Sequence, residues 1–218
     1  AATRIVGEAS VRNHSFVHAH GSSTPANRRT ESELIDRIAR TFDLFDWPVT
    51  ATKSFVGHSL SAASGDQLIS ALGTFRYHVI PGIKTIKEVA PDVFQERAIF
   101  PLQDVDVNDR QMHVAFINSK GFGGNNATAV VLSPIRLNSM LRSRHKEKFD
   151  RYLLLRERTR CKAEAYSIRA DFAELDVIYR FGEPLIDEKE ISLTPEGVRI
   201  PGFSKDVLFD AINPWEDM

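Results

Sequence analysis

Short apolar runs alternate with segments of helical periodicity in the first part of the chain. Apolar runs over residues 14–20 and 49–54 predict two strands. Between them, the apolar positions of residues 30–45 recur at helical spacing, and a Trp-Pro pair is expected to end that helix. Small residues after Gly57-His58 predict a further helix. This alternation of strand and helix is typical of an α/β fold.

The pattern changes in the second half of the chain. Residues 111–119 and 127–132 are apolar runs joined by a glycine cluster, which predicts a hairpin or a tightly turned strand pair. Residues 137–173 predict a long charged helix or a pair of helices. The tail after them carries short strand-like pieces that are separated by proline and glycine: VIYRF, EISL and GVRI.

Composition and charge exclude several classes of protein. Of the 218 residues, 42% are hydrophobic, which is enough for a folded core. The 28 basic residues are balanced by 29 acidic ones, whereas a general nucleic-acid binder carries a basic excess. No apolar run approaches the roughly 18 residues of a membrane span, and we recognise no signal peptide. The single cysteine, Cys161, excludes an internal disulfide framework, so we expect a soluble, cytoplasmic protein.

Polar clusters follow three of the predicted strands, where open α/β sheets collect ligand sites. They deliver His20, then Lys53 with His58, then the glycine-rich residues 118–126. Two converging imidazoles can donate hydrogen bonds to a carbonyl oxygen that becomes negative, and a nearby lysine can tune their charge state. Taken singly, each histidine is more typical of a structural or solvated position. We predict no metal site, because no carboxylate or thiol lies at ligand spacing from His18, His20 and His58.

The three clusters form motifs that occur in a fixed order. In chain order they are His20-Gly21-Ser22-Ser23-Thr24-Pro25, Lys53-Ser54-Phe55-Val56-Gly57-His58 and Asn118-Ser119-Lys120-Gly121-Phe122-Gly123-Gly124. This set resembles the C-terminal half of the β-ketoacyl-acyl carrier protein synthases, the condensing enzymes of the thiolase-like fold. The resemblance implies that residues 1–134 form an α/β half of a layered α-β-α-β-α fold. Residues 135–218 would be a helical and irregular C-terminal extension.

The resemblance also implies a reaction and the residues that perform it. In such synthases a cysteine of the N-terminal half accepts an acyl chain, malonyl-acyl carrier protein loses carbon dioxide, and the resulting enolate attacks the acyl thioester. By motif match, His20 and His58 stabilise the enolate oxygen, and Lys53 supports His58. The implied substrate-binding positions are Ser22 and Thr24 in the pantetheine tunnel, Phe122 at the gate between the acyl and malonyl sites, and Gly123 beside it.

The same resemblance implies the partners of the chain. No cofactor is expected, since the substrates are carried on the phosphopantetheine of acyl carrier protein, and family members are usually homodimers. The nucleophilic cysteine belongs upstream of the motifs, whereas Cys161 lies beyond the last of them. We therefore expect a missing N-terminal half that bears the nucleophile, and no activity from this chain alone. A non-catalytic partner or chain-length subunit and a condensing module of polyketide synthesis remain as alternatives.

Three positions depart from the family pattern. Gln67 stands nine residues after His58, where many relatives have a glutamate, so the usual charge network and any cation site built on that carboxylate are expected to differ. Lys120 replaces an aromatic residue and brings a charge near the gate. Arg28 stands where relatives often have an aspartate.

Basic residues are concentrated between residues 142 and 160 of the predicted extension. A basic face of this kind can steer the docking of an acidic acyl carrier protein. The alternative is a solvated helix whose charge is balanced by the acidic tail. We favour the solvated helix.

Overall fold

Strands and helices alternate through the first part of the chain in the computed structural model, which describes residues 1–121, 123–175 and 186–209. The helices are α1 (Ala2–Val6), α2 (Glu8–Asn13), α3 (Pro25–Thr41), α4 (Lys53–Val56), α5 (Ala63–Tyr77), α6 (Pro134–His145) and α7 (Phe149–Asp171), with 3₁₀ turns at Leu60–Ala62, Lys146–Lys148 and Glu188–Glu190. The strands are β1 (Ser15–His18), β2 (Trp47–Thr50), β3 (Val79–Ile80), β4 (Ala98–Ile99), β5 (Val105–Asp106), β6 (Val114–Lys120), β7 (Asn126–Leu132), β8 (Ser192–Thr194), β9 (Gly197–Arg199) and β10 (Val207–Leu208).

A five-stranded sheet with the order β4-β2-β1-β6-β7 forms the framework. β1 pairs in parallel with β2 and with β6, β2 pairs in parallel with β4, and β7 runs antiparallel to β6. His18 is in register with Thr50 of β2 and with Ile117 of β6. The carboxyl ends of β1, β2 and β6 therefore lie at the same edge of the sheet, and the three motifs leave from that edge.

Helices cover both faces of the sheet, which explains why its strands are apolar runs. Successive side chains of β1 point to opposite faces. Val17 packs in one core cluster with Ile35 of α3, whereas Phe16 packs in a second cluster with Ala71 and Phe75 of α5. The two helices hold β1 between them, and they carry further residues of the candidate site described below.

The helix predicted over residues 30–45 has different ends in the structure. α3 begins at Pro25, because a proline in the first turn has a backbone angle suited to a helix and lacks only an N–H that would be unpaired there. It ends at Thr41, and Leu44 beyond it is buried in the core instead of continuing the helical face.

The second predicted strand is also displaced. β2 begins at Trp47 and ends at Thr50, so the Trp-Pro pair lies in a strand. The predicted strand over residues 49–54 is wrong in its second half, because Lys53–Val56 form the short helix α4. This turn places Lys53 immediately beyond the sheet edge.

The predicted hairpin is confirmed, with β6 and β7 paired antiparallel from Val114 to Lys120. The charged segment forms the pair of helices α6 and α7, one of the two arrangements that the sequence left open. The pieces EISL and GVRI contribute β8 and β9, which form a small antiparallel sheet with β10. The piece VIYRF lies outside the described residues.

The chain divides into two compact units, Ala1–Asp150 and Arg151–Met218. The five-stranded sheet and the three motifs lie in the first unit. The division after residue 134, which the family resemblance implied, stays a prediction. Within the described part of the chain, no helix combines the length and apolarity that a membrane crossing requires.

Candidate active site

Two histidines and a lysine that are far apart in the sequence meet at the edge of the sheet. His20 follows β1 by two residues, and Lys53 begins α4 just beyond β2. His58, after α4, has its ring centroid 5.3 Å from that of His20, with the two rings nearly perpendicular at 79°. The first two sequence clusters therefore lie side by side at this edge.

Backbone N–H groups fix the tautomer of both histidines. The N–H of Lys120, at the end of β6, donates to Nδ1 of His20 over 3.2 Å. The N–H of Leu60 donates to Nδ1 of His58 over 3.0 Å. A neutral imidazole that accepts at Nδ1 carries its own hydrogen on Nε2. The hydrogen bonds at Nδ1 therefore leave Nε2–H of each ring as the group that can donate to a ligand.

The surroundings of His20 keep its ring neutral. The residue is only 6% exposed, and burial lowers its pKa from the ordinary value of 6.5. The positive charge of Lys53 lowers the pKa of His20 further, while the carboxylate of Glu31 opposes both effects. His20 is consequently an uncharged hydrogen-bond donor at neutral pH.

The hydrogen bonds of Lys53 are with His20, whereas the family resemblance implied that it supports His58. Its Nζ donates to the backbone oxygen of His20 over 2.6 Å and lies 3.5 Å from Nδ1 of the same residue. Burial lowers the pKa of Lys53, and the carboxylates of Glu31 and Asp66 oppose that shift. The lysine thus acts on the main chain and on the charge state of His20.

The buried carboxylate of Glu31 joins the first and third motifs. Its Oε1 accepts hydrogen bonds from the backbone N–H of His20 at 2.7 Å and from the side-chain amide of Asn118 at 2.5 Å. Its Oε2 accepts from the backbone N–H of Gly21 and from the side chain of Asn27, both at 3.0 Å. These donors satisfy the carboxylate and fix the main chain at His20.

Sequence reasoning did not select Glu31 or Asn118 as site residues, although Asn118 lies in a quoted motif. A signal for Glu31 was available, because it lies one helical turn before Ile35 on the buried face of α3. A carboxylate at a core-facing helix position requires donors. Those donors come from residues distant in sequence, so the position indicated a polar network and the structure was needed to identify it.

His18 does not belong to the histidine pair. Its ring is fully buried next to Phe16, and its Nδ1 lies 3.1 Å from Oγ1 of Thr52. Its Nε2 has no hydrogen-bond partner among the residues that the structure describes. Burial lowers the pKa of His18 to about 4. It is a neutral core histidine, as the structural interpretation of a lone strand-end histidine expected.

A cavity of about 480 Å³ opens beside the site, and its wall includes Lys53, His58 and Ser22. Apolar side chains from the segment after β3, among them Ile83 and Ile86, form another part of the wall. Thr24, predicted to line the same tunnel as Ser22, is exposed where α3 begins and does not contribute to this wall.

The glycine cluster lies in the turn between β6 and β7. Gly123 is exposed and has φ +83°, a conformation that favours glycine. Phe122, the predicted gate, lies outside the described residues. The contribution of the third motif that the structure does describe is therefore the end of β6, through Asn118 and the N–H of Lys120.

The charged departures from the family pattern have partners outside the histidine pair. Nζ of Lys120 donates to Oγ1 of Thr30 over 3.2 Å, so it is the backbone of Lys120 that contacts His20. Arg28 forms an ion pair with Asp92 at 2.8 Å. Across the described ranges, no three His, Cys, Asp or Glu side chains are grouped to bind a metal ion.

The sheet order, the flanking helices and the residues at the sheet edge together define a class of protein. Residues 2–87 match the family model of the β-ketoacyl synthase C-terminal domain. Residues 2–87 therefore carry a β-ketoacyl synthase C-terminal domain, and the predicted recognition and the thiolase-like fold class are confirmed.

The particular relatives agree with this class. The chain is 54% identical over 218 residues to the β-ketoacyl-[acyl-carrier-protein] synthase FabY of Pseudomonas aeruginosa, covering 100% of this chain and 34% of that protein. It is 37% identical over 120 residues to 3-oxoacyl-[acyl-carrier-protein] synthase 2 of Staphylococcus aureus, covering 53% of this chain and 26% of that protein.

Solved structures show the same likeness. The ketosynthase FabY from P. aeruginosa matches 99% of this chain and 34% of its own, with a TM-score of 0.79 and 54% identity. The oxazolomycin ketosynthase domain from Streptomyces albus, at 22% identity and a TM-score of 0.51 over 56% of this chain and 22% of its own, shares the fold. The present chain thus spans about a third of the length of FabY.

Proposed function

We propose that this chain supplies the decarboxylation machinery of a β-ketoacyl-acyl carrier protein synthase in fatty acid biosynthesis. The observation that carries the proposal is the pair His20 and His58, each with Nδ1 held by a backbone N–H and therefore with Nε2–H as the donor. The names of the relatives, which are acyl-carrier-protein synthases, support the same reaction class.

The donors act on the oxygen that becomes negative. When the malonyl thioester loses carbon dioxide, the electrons of the broken carbon–carbon bond pass into the thioester carbonyl and its oxygen gains charge as an enolate. Neutral imidazoles stabilise this charge by donating hydrogen bonds, without transferring their protons. The enolate carbon then attacks the acyl thioester, a new carbon–carbon bond forms, and the thiolate leaves.

Lys53 has a positioning role in this proposal. Its ammonium group holds the backbone oxygen of His20, and its charge lowers the pKa of that histidine. A protonated His20 would carry a hydrogen on Nδ1. That hydrogen would face two other donors, the Lys120 N–H and Nζ of Lys53, instead of an acceptor. The lysine thus favours the neutral, correctly oriented ring.

The acyl-accepting cysteine is proposed to come from sequence outside these 218 residues. Cys161 is the only cysteine of the chain and is exposed on α7. We therefore expect this chain alone to form no acyl-enzyme. Acyl carrier protein as the partner, a homodimer as the assembly and the cytoplasm as the location are carried over from the family as parts of the same proposal.

Substitution of the two histidines tests the assignment in the full protein. His20→Ala and His58→Ala are each expected to lower malonyl-acyl carrier protein decarboxylation by about a hundredfold or more, the usual cost of removing one donor to a developing oxyanion. Carbon dioxide release and the mass of the carrier-bound product measure the rate. His145→Ala, at an exposed position on α6, serves as the matched control.

Normal decarboxylation in either site variant would show that the roles are wrong. Decarboxylation absent from the unaltered protein would favour the non-catalytic subunit instead. Primer and product analysis then separates fatty acid synthesis from polyketide synthesis, since both pathways use the same condensation step.

A further inference from the structure

Gln67 of α5 lies where the ends of β1 and β6 meet, and its side chain is fully buried. Its Nε2 donates to the backbone oxygen of Ala19 over 2.7 Å and to that of Asn118 over 3.1 Å. The backbone oxygen of His18 lies 3.5 Å from the same nitrogen. Three backbone carbonyl oxygens, two at the end of β1 and one near the end of β6, therefore surround the side-chain nitrogen of Gln67.

These acceptors determine the orientation of the Gln67 amide. An amide nitrogen carries two hydrogens, and the opposite orientation would place Oε1 against three carbonyl oxygens. Oε1 has no hydrogen-bond partner among the described residues. Leaving a buried oxygen unpaired is costly, and that cost is tolerated here while the nitrogen bridges the two strand ends.

The carbonyls held by Gln67 belong to the segments that position His20. Ala19 directly precedes His20, and Asn118 stands two residues before Lys120, whose N–H donates to Nδ1 of His20. The clamp therefore fixes both strand ends between which the tautomer-setting hydrogen bond forms. A shift of one strand end relative to the other would lengthen that bond.

We propose that Gln67 is a positioning residue: its neutral amide clamps the ends of β1 and β6 and so keeps His20 in the tautomer that donates from Nε2. The catalytic consequence rests on the function proposed above, whereas the structural consequence does not. The hydrogen bonds of Gln67 within the described part of the chain go to backbone oxygens, and its side chain does not line the cavity, so it acts through the main chain.

The clamp requires a donor that carries no charge. A glutamate at position 67 has the same length but only acceptor oxygens when ionised, and it would face the same three carbonyl oxygens. Such an arrangement is stable only if the carboxyl group takes a proton or if a cation enters between the oxygens. Gln67→Glu is therefore expected to make the site dependent on pH and on small monovalent cations.

The test is made in the full protein, as for the histidines. It compares Gln67→Glu and Gln67→Leu with the unaltered protein and with Gln95→Glu, a matched change at an exposed glutamine. Thermal unfolding is measured at alkaline pH in potassium chloride and in choline chloride of equal ionic strength, because choline is too large to enter between the carbonyls. Malonyl decarboxylation is measured in the same buffers. Nitrogen-15 shifts of the His20 imidazole report its tautomer.

Gln67→Leu is expected to lower kcat by about tenfold or more with little change in KM, and to give His20 a mixture of tautomers. Gln67→Glu is expected to gain thermal stability and activity in potassium chloride relative to choline chloride, while the unaltered protein and Gln95→Glu respond equally to both salts. Lowering the pH should rescue Gln67→Glu in the same way.

A Gln67→Leu protein with unchanged kcat and a single His20 tautomer would overturn the proposal. So would a Gln67→Glu protein that unfolds at the unaltered temperature in both salts. If the unaltered protein does not decarboxylate malonyl-acyl carrier protein, the proposed function fails, and the unfolding and nitrogen-15 measurements still decide whether Gln67 is the clamp.

Discussion

The polar residues at the sheet edge and those along α7 differ in how much each residue contributes to stability and to the geometry of the site. At the sheet edge, Glu31 and Gln67 are buried, and their hydrogen bonds join strand ends that are distant in sequence. Along α7, Arg160 pairs with Glu157 and Glu164 of the same helix, with side chains 61%, 57% and 60% exposed. Exposed helical pairs contribute about 0.3–0.5 kcal/mol, whereas each buried polar group that loses its hydrogen-bond partner costs about 1–3 kcal/mol. A few buried polar side chains thus fix the geometry of the candidate site, whereas each of the more numerous charged residues along α7 contributes little.

Removal of the carboxylate of Glu31 should give the largest effect. Glu31→Ala leaves the backbone N–H groups of His20 and Gly21 and the side chains of Asn27 and Asn118 without their acceptor. Because several donors lose their acceptor at once, we expect the free energy of unfolding to fall by about 3–5 kcal/mol. Urea unfolding followed by circular dichroism measures the change.

Glu33→Ala is the matched control for this comparison, because Glu33 lies on the same helix. Its carboxylate is 34% exposed and pairs with Arg37 at the surface. Its loss should cost less than about 1 kcal/mol. Equal losses of stability for the two variants would show that the burial of a carboxylate does not determine how much it contributes.

The pH dependence of stability sharpens the comparison through His18. Burial lowers its folded-state pKa from 6.5 to about 4, so the unfolded chain takes up a proton at a higher pH than the folded chain. The stabilisation is fully present above pH 6.5 and is lost as the pH falls towards 4. The loss amounts to about 3 kcal/mol.

The contribution of His18 is isolated by subtracting the pH profile of a His18→Gln variant from that of the unaltered protein. Unfolding by urea at a series of pH values between these limits gives both profiles. His145, exposed on α6, supplies the control substitution His145→Gln, which should leave the profile unchanged. Identical slopes in the unaltered and His18→Gln proteins would contradict the burial argument.

The parts of this fold that the sequence predicted are those with a local signal. Apolar runs located β1 and β6, the glycine cluster indicated the hairpin, and the motif order brought His20 and His58 together. Boundaries near prolines were wrong, because Pro25 begins α3 and the Trp-Pro pair lies in β2.

The contacts that orient the site had no such signal. Lys53 reaches the backbone of His20 instead of His58, and Gln67 holds carbonyls of two strands. Both contacts depend on the register of the strands. Register brings main-chain atoms together whatever the residue types are, so the residue types do not reveal these contacts. Polar residues at core-facing helix positions, such as Glu31 and Gln67, show in the sequence that partners exist, and only the fold identifies them.

Substitutions in the charged segment that follows β7 are expected to have the smallest effect. Arg142, Arg144 and Lys146 are exposed, and Glu147 and Asp150 lie close to them in the sequence. Charges of this kind are screened by salt and by neighbouring acids. Reversing all three to glutamate should therefore change the affinity for the proposed partner, acyl carrier protein, by less than about twofold at physiological salt. Arg142 also stacks over Phe149 at 4.5 Å, and the matching triple glutamine variant separates the loss of that contact from the change of charge. A fall of about tenfold or more in the glutamate variant alone, diminishing with added salt, would identify this segment as a docking face.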